Sequence, residues 1–220
     1  MFEKEIEEYE RIRLDYLQNI ANRMGWQQWM EYNEILFSAH SCAIEGNSFT
    51  VDDTRILREQ GMAMIPVGRS LLECTEMADH FRAFDYMASH LECPFDETLL
   101  KEVNRLVTEH TLGYRAPGAV AGEYTTEDMA AGDTVLGDHE TLIARVPNLM
   151  DATQRALADG QHPLVIIELK DRAAYIAALK QIREEGTDEH LVAFFFQTAI
   201  RRMTNEMAQK HRNSLPLVFF

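Results

Sequence analysis

Apolar side chains recur at three- and four-residue intervals along almost the whole chain, the spacing that lines one face of an α-helix. Ile6, Tyr9, Tyr16, Leu17 and Ile20 mark the buried face of a long first helix. A second helix runs from about Trp29 to Glu45 and stops at Gly46, a residue suited to the left-handed turn that ends a helix. Thr50 opens a third, with a hydroxyl placed to cap it and Asp52 and Asp53 in its first turn, and the helix ends near Gly61. Ser70 and Glu73 make a capping box. Behind them Met77, Phe81, Phe84, Ala88 and Leu91 form an apolar stripe, and Leu99, Leu100, Val103, Leu106 and Val107 form the face of a fifth helix.

Between residues 113 and 144 the helical period is lost, glycines cluster, and short runs around Gly122–Tyr124 and Thr134–Leu136 predict a small β-hairpin. Helix resumes at Val146, with Pro147 in its first turn, and stops at Gly160. Residues 164–169 read as a short extended run. Asp171 opens a helix carrying Tyr175, Leu179 and Ile182 and closed by Gly186, and a last helix carries Leu191, Phe194, Phe195, Thr198 and Ala199. The predicted fold class is all-α, a helical bundle interrupted by one β-hairpin.

Lys and Arg number 21 against 36 Asp and Glu, a net charge of −15. Nucleic-acid binders need a basic face, and anionic membranes repel such a chain, so neither is an expected partner. Cys42, Cys74 and Cys93 are odd in number and widely spaced, which suits reduced thiols and a cytoplasmic location. The first ten residues are acidic and do not resemble a secretory leader. Glu76 and His80 lie four apart on one helix; with no second pair nearby they read as a solvated face, and no metal site is expected.

The ten residues 41–50 (Ser-Cys-Ala-Ile-Glu-Gly-Asn-Ser-Phe-Thr) place Ser41, Glu45 and Gly46 in the order S/T-x-x-x-E-G/N. This resembles the inhibitory helix of Fic/Fido-domain proteins. Leu72, Glu76, Asp79 and Ala83 resemble a family helix that commonly carries Asn where Asp79 stands. Gly122, Tyr124 and Thr125 resemble the family's flap hairpin, and Val146-Pro147-Asn148-Leu149-Met150 resembles the segment after it. Asp171, Arg172, Tyr175, Ala178 and Leu179 are similar to the D-R-x-x-Y-x-x-A-L helix beyond the catalytic loop. The matches run from about residue 30 to about residue 195 in the family's order. The resemblance implies an N-terminal helix over 1–30 and a Fic-like helical domain over 31–220. It implies a parent activity of AMP transfer from Mg-ATP to protein hydroxyls, restrained by Glu45. Tyr175 and Leu179 would be remnants of the nucleotide pocket, and the flap would dock a target protein by edge pairing.

The family's catalytic loop, HPFxDGNGR, is absent from the sequence. That chemistry needs a His to take the hydroxyl proton, an acid for Mg²⁺, Gly-Asn-Gly amides turned onto phosphate, and an Arg on the terminal phosphate. Here His162-Pro163 is followed by Leu-Val-Ile-Ile, and Gly186 is the only glycine after Gly160. The catalytic helices therefore look deleted near 163–164. No catalytic residue is expected beyond His162 as a bare candidate, and neither ATP nor Mg²⁺ is expected to bind. The missing helices should leave the stripe at Met77, Phe81, Phe84 and Leu91 partly bare, favouring low stability or self-association. Three readings stay open: a non-catalytic relative that binds a protein or its own copy, an adenylyltransferase using His162 or a loop from another copy, and an unrelated helical scaffold. Glu45 as a plain helix end, Tyr175 and Leu179 as core, and 122–137 as a plain loop are the matching ordinary alternatives.

Overall fold

The structure, a computed structural model, describes residues 2–128, 130–131, 134–135, 140, 143–144, 146 and 162–212. Of the helix expected over 146–160, only Val146 falls among these, and it is helical. The apolar run 215–220 lies outside them. The chain divides into two compact units, one built from Met1–Val51 and the chain from His162 onward, the other from Asp52–Gln161.

In the first unit α1 spans Glu3–Tyr16 and continues through a π-helical turn at Leu17–Ala21. α2 spans Trp26–Ile44. The core is Tyr9, Ile12, Tyr16 and Ile20 of α1 against Ala199 and Met203 of the last helix. Ile20 lies four residues after Tyr16 and so shares its face of the helix. A π turn frees carbonyls, and the Lys210 ammonium donates to that of Asn19. Ile6, expected on the buried face, is instead exposed. The core runs from Tyr9 onward, and Ile6 lies one turn short of it.

The second unit holds α3 (Val51–Gln60), α4 (Leu71–Ser89), α5 (Glu97–Thr108) and the one-turn α6 (Leu112–Arg115). A two-residue antiparallel ladder pairs Ala130 with Val135 and Ala131 with Thr134. The capping box forms as the sequence predicts: Glu73 N–H donates to Ser70 Oγ at 3.2 Å and Ser70 N–H to Glu73 Oε2 at 2.9 Å. α4 and α5 pack side by side.

Two expectations about α4 are overturned. Met77, Phe81 and Phe84 are buried, so the stripe is not bare, and only Leu91, past the end of α4, is exposed. The guanidinium of Arg58 on α3 lies 5.4 Å from the centre of the Phe81 ring while binding Asp85. Glu76 and His80 do not face water either; both are buried, as is Asp79 between them. Their burial is tolerated because each acid has a partner. Arg115 binds Glu76. Asp79 accepts from the His110 backbone N–H at 3.2 Å and lies 2.8 Å from His110 Nδ1. Burial, with a small opposing pull from Asp79, lowers the His80 pKa to about 4. No helix among the described residues is long and apolar enough to cross a membrane.

Back in the first unit, residues 162–168 form neither helix nor strand and lead, through Glu168 in an extended conformation, into a 3-10 turn at Leu169–Asp171. α7 (Arg172–Glu185) follows, ended by Gly186 in the left-handed region, and α8 spans Glu189–Arg212.

Candidate functional site

α2 brings Ser41, Glu45 and Gly46 to its C-terminal end. Glu45 is the capping residue, exposed, with φ −84° and ψ 0°. Gly46 takes φ +100°, a conformation that favours glycine, and its N–H returns to the Ala43 carbonyl at 3.0 Å. Asn47 then closes a turn by accepting the Phe49 N–H at 3.0 Å. A carboxylate at a helix C-terminus opposes the helix dipole by roughly 0.3–1 kcal/mol. Arg172, the first residue of α7, offsets this by donating Nε–H to the Ile44 carbonyl at 2.7 Å. Asp171 beside it is held by Arg201 of α8 at 2.5 Å. Three elements of one unit thus meet at the end of the Glu45 helix.

The segment 162–168 is held at several points. The Tyr9 hydroxyl lies 3.0 Å from His162 Nδ1, and the two rings stack at 5.8 Å. Pro163 and Ile166 are buried. Arg202 of α8 donates Nη1–H to the Leu164 carbonyl, Nη2–H to Asn33 Oδ1 on α2, both at 2.7 Å, and Nε–H to Glu206 at 2.8 Å. Glu206 also accepts the hydroxyls of Tyr16 at 2.8 Å and Tyr32 at 3.1 Å. The Arg202 and Glu206 side chains are 11% and 10% exposed, so this is a buried pair with its valences filled from both helices and the segment. Burial, with the Glu206 charge, pushes both tyrosine pKa values well up.

His40, one turn inward on α2, has a lowered pKa because burial outweighs the pull of Glu168. Tyr175 is half-buried, with ring centres of Phe194 at 5.9 Å and Phe195 at 6.4 Å, and Leu179 is partly exposed. That setting is aromatic packing between α7 and α8.

In the second unit, Gly122 sits at φ +80° with its N–H on Asn104 Oδ1 at 3.1 Å. A Cβ there would meet Arg105 Cβ at 2.8 Å and the Lys101 carbonyl at 2.9 Å, so the turn lies directly on α5. The Lys101 ammonium stands 4.6 Å from the centre of the Tyr124 ring and also bonds Glu123. Thr125 Oγ donates to the Glu127 carbonyl at 2.8 Å and accepts its N–H at 3.1 Å. A groove of about 510 Å³ runs past Tyr86, Lys101, Arg105 and Gly122.

No family model matches this sequence, and no curated protein matches it. Solved structures do. Fic-1 from C. elegans (residues 134–508) superposes with a TM-score of 0.67 at 18% identity, over 93% of this chain and 71% of that one. A Fic-domain-containing signaling protein from Bacteroides thetaiotaomicron gives 0.68 at 17% identity, over 92% and 94%. A Fic family protein from Desulfovibrio desulfuricans gives 0.72 at 14% identity, over 94% and 74%. This chain has the Fic fold.

Within the Fic fold the predicted residues separate. Ser41, Glu45, Gly46, Tyr175, Leu179 and His162 belong to the first unit, and Gly122, Tyr124 and Thr125 to the second. The first unit joins the Glu45 helix to the Tyr175 helix through Arg172, and sends His162 to Tyr9. The residues after His162 are already engaged within the fold. The Leu164 carbonyl already takes Arg202, Ile166 is packed inward, and the next acid, Glu168, is paired with Lys170 at 2.6 Å. No group of three or more His, Cys, Asp or Glu among the described residues is placed to hold a metal ion. Sequence reasoning missed Arg201, Arg202 and Glu206, and had Arg172 only as part of the D-R motif. Arg202 and Glu206 carried a faint signal: a four-residue pair flanking Met203, on the same helix as the apolar Thr198–Ala199 face.

Proposed function

We propose that this chain is a non-catalytic member of the Fic family, with Glu45 retained on a helix of the inhibitory type and no AMP transfer of its own. One observation carries the reading. Where the HPFxDGNGR loop would stand, the sequence continues His162-Pro163 into Leu-Val-Ile-Ile, and that non-helical stretch is bonded to α8 through Arg202 and the Leu164 carbonyl. Backbone amides can cradle phosphate only when consecutive ones turn inward, which glycines permit and a β-branched run resists. The fit of Glu45 and Gly46 to the end of α2 supports descent from a regulated parent. The work left to such a protein is binding, either of a target protein or of its own copy.

Ligand-induced stabilisation tests this reading. A nucleotide that binds the folded state raises the melting temperature in proportion to the logarithm of its concentration over its Kd. Melting of the purified chain is expected to be unmoved by Mg-ATP. A saturating upward shift that disappears in His162→Ala would overturn the proposal.

A further inference from the structure

Both tryptophans of the chain stand together at the start of α2, Trp26 and Trp29, with ring centres 5.7 Å apart. Trp29 is partly buried, but Trp26 is 63% exposed. Tryptophan carries one of the largest apolar surfaces of any side chain, and folded proteins keep most of it from water. Gly25 at φ +79° sets the turn that makes Trp26 the first residue of α2.

Contacts along the helices fix what lies beside this surface. Tyr9 packs on Phe196, Tyr16 donates to Glu206, and Lys210 donates to the Asn19 carbonyl, so α1 and α8 run parallel. Asn33 accepts from Arg202 and Tyr32 donates to Glu206, so α2 runs the opposite way. From Tyr32 back to Trp26, and from Glu206 on to Arg212, the chain covers the same length of helix, about 9 Å. The last residue of α8 is therefore level with Trp26. Residues 213–220, outside those described, read Asn-Ser-Leu-Pro-Leu-Val-Phe-Phe, an apolar run without a charge. Such a stretch reaches up to about 26 Å, and packed helices lie only about 8–10 Å apart.

We propose that residues 215–220 dock back on the Trp26–Trp29 surface of their own chain and cover the exposed indole. Three features favour this occupant over a foreign partner. The run is tethered beside the surface, which gives it an effective concentration on the order of millimolar. It is uncharged, so it approaches a chain of net charge −15 without repulsion. Its two phenylalanines offer ring faces and edges that pair with indole.

Tryptophan fluorescence of the full chain tests the proposal, because Trp26 and Trp29 are its only indole emitters. Circular dichroism confirms that each variant is folded. The wild type should emit as shielded indole. Leu217→Asp combined with Phe219→Asp should shift the emission to longer wavelength and raise acrylamide quenching. Leu91→Asp, exposed in the other unit, should change neither. In the reverse direction, Trp26→Asp should speed chymotrypsin cleavage within 215–220, read by mass, at least about tenfold as the undocked population rises. A tail variant that quenches like the wild type, a Leu91→Asp variant that quenches like the tail variant, or cleavage unchanged by Trp26→Asp overturns the proposal. So does wild-type quenching that rises on dilution, because the run would then be covering the indole of another copy. None of these readouts involves nucleotide.

Discussion

Replacing Arg202 by Met removes the guanidinium that joins α8, α2 and the 162–168 segment while keeping most of the side chain's bulk. Three hydrogen bonds go: to Glu206 at 2.8 Å, and to the Leu164 carbonyl and Asn33 at 2.7 Å. A hydrogen bond to a charged group contributes about 1.5–3 kcal/mol, but some of that returns as water enters. The larger cost is Glu206, left as a buried carboxylate facing only Tyr16 and Tyr32. Breaking a buried pair from one side costs about 3–5 kcal/mol, against a total stability of about 5–15 kcal/mol for a domain. Urea unfolding should therefore show the midpoint falling sharply with an unchanged slope. The double variant Arg202→Met, Glu206→Leu should recover part of the loss, because the stranded charge is gone. Recovery should stay incomplete, since both tyrosine hydroxyls lose their acceptor. A single-variant loss below about 1 kcal/mol, or a double variant worse than the sum of the singles, would refute the idea that this pair is a desolvated, mutually dependent unit.

Gly122→Ala forces a Cβ to 2.8 Å from Arg105 Cβ at φ +80°, and should cost about 1–3 kcal/mol locally, seen as faster amide exchange at residues 121–124. His80 has a folded pKa of about 4 against 6.5, so the unfolded chain binds the extra proton first. Its contribution is complete above pH 6.5 and is lost as pH falls toward 4, up to about 3 kcal/mol; His80→Leu should flatten the stability profile in that window. Tyr9→Phe removes the hydroxyl bonded to His162 and should cost about 0.5–1.5 kcal/mol, with increased protease cleavage near 162–164 as the second readout.

Much of the fold is written locally and was readable. Ser70 and Glu73 predict their own cap, and Gly46 and Gly186 take positive φ at helix ends. The end of the Glu45 helix was readable for the same reason. What stayed hidden depends on contacts between residues far apart in sequence. Arg202 and Glu206 were not singled out, because their partners Tyr16, Tyr32 and Asn33 lie about 170 to 190 positions away. Glu76 read as solvated because Arg115, which neutralises it, lies on a later element. The stripe of α4 was expected to be partly bare. Met77, Phe81 and Phe84 are buried instead, in contacts that the local pattern does not encode.

Transfer of label from α-labelled Mg-ATP is the most direct test of the central claim, run on the wild type beside Glu45→Ala. In a working parent, removing the inhibitory carboxylate would release activity. Here both proteins should leave themselves and a cell lysate unlabelled, because there is nothing for Glu45 to restrain. Label that appears or grows in Glu45→Ala and vanishes with His162→Ala would contradict the account.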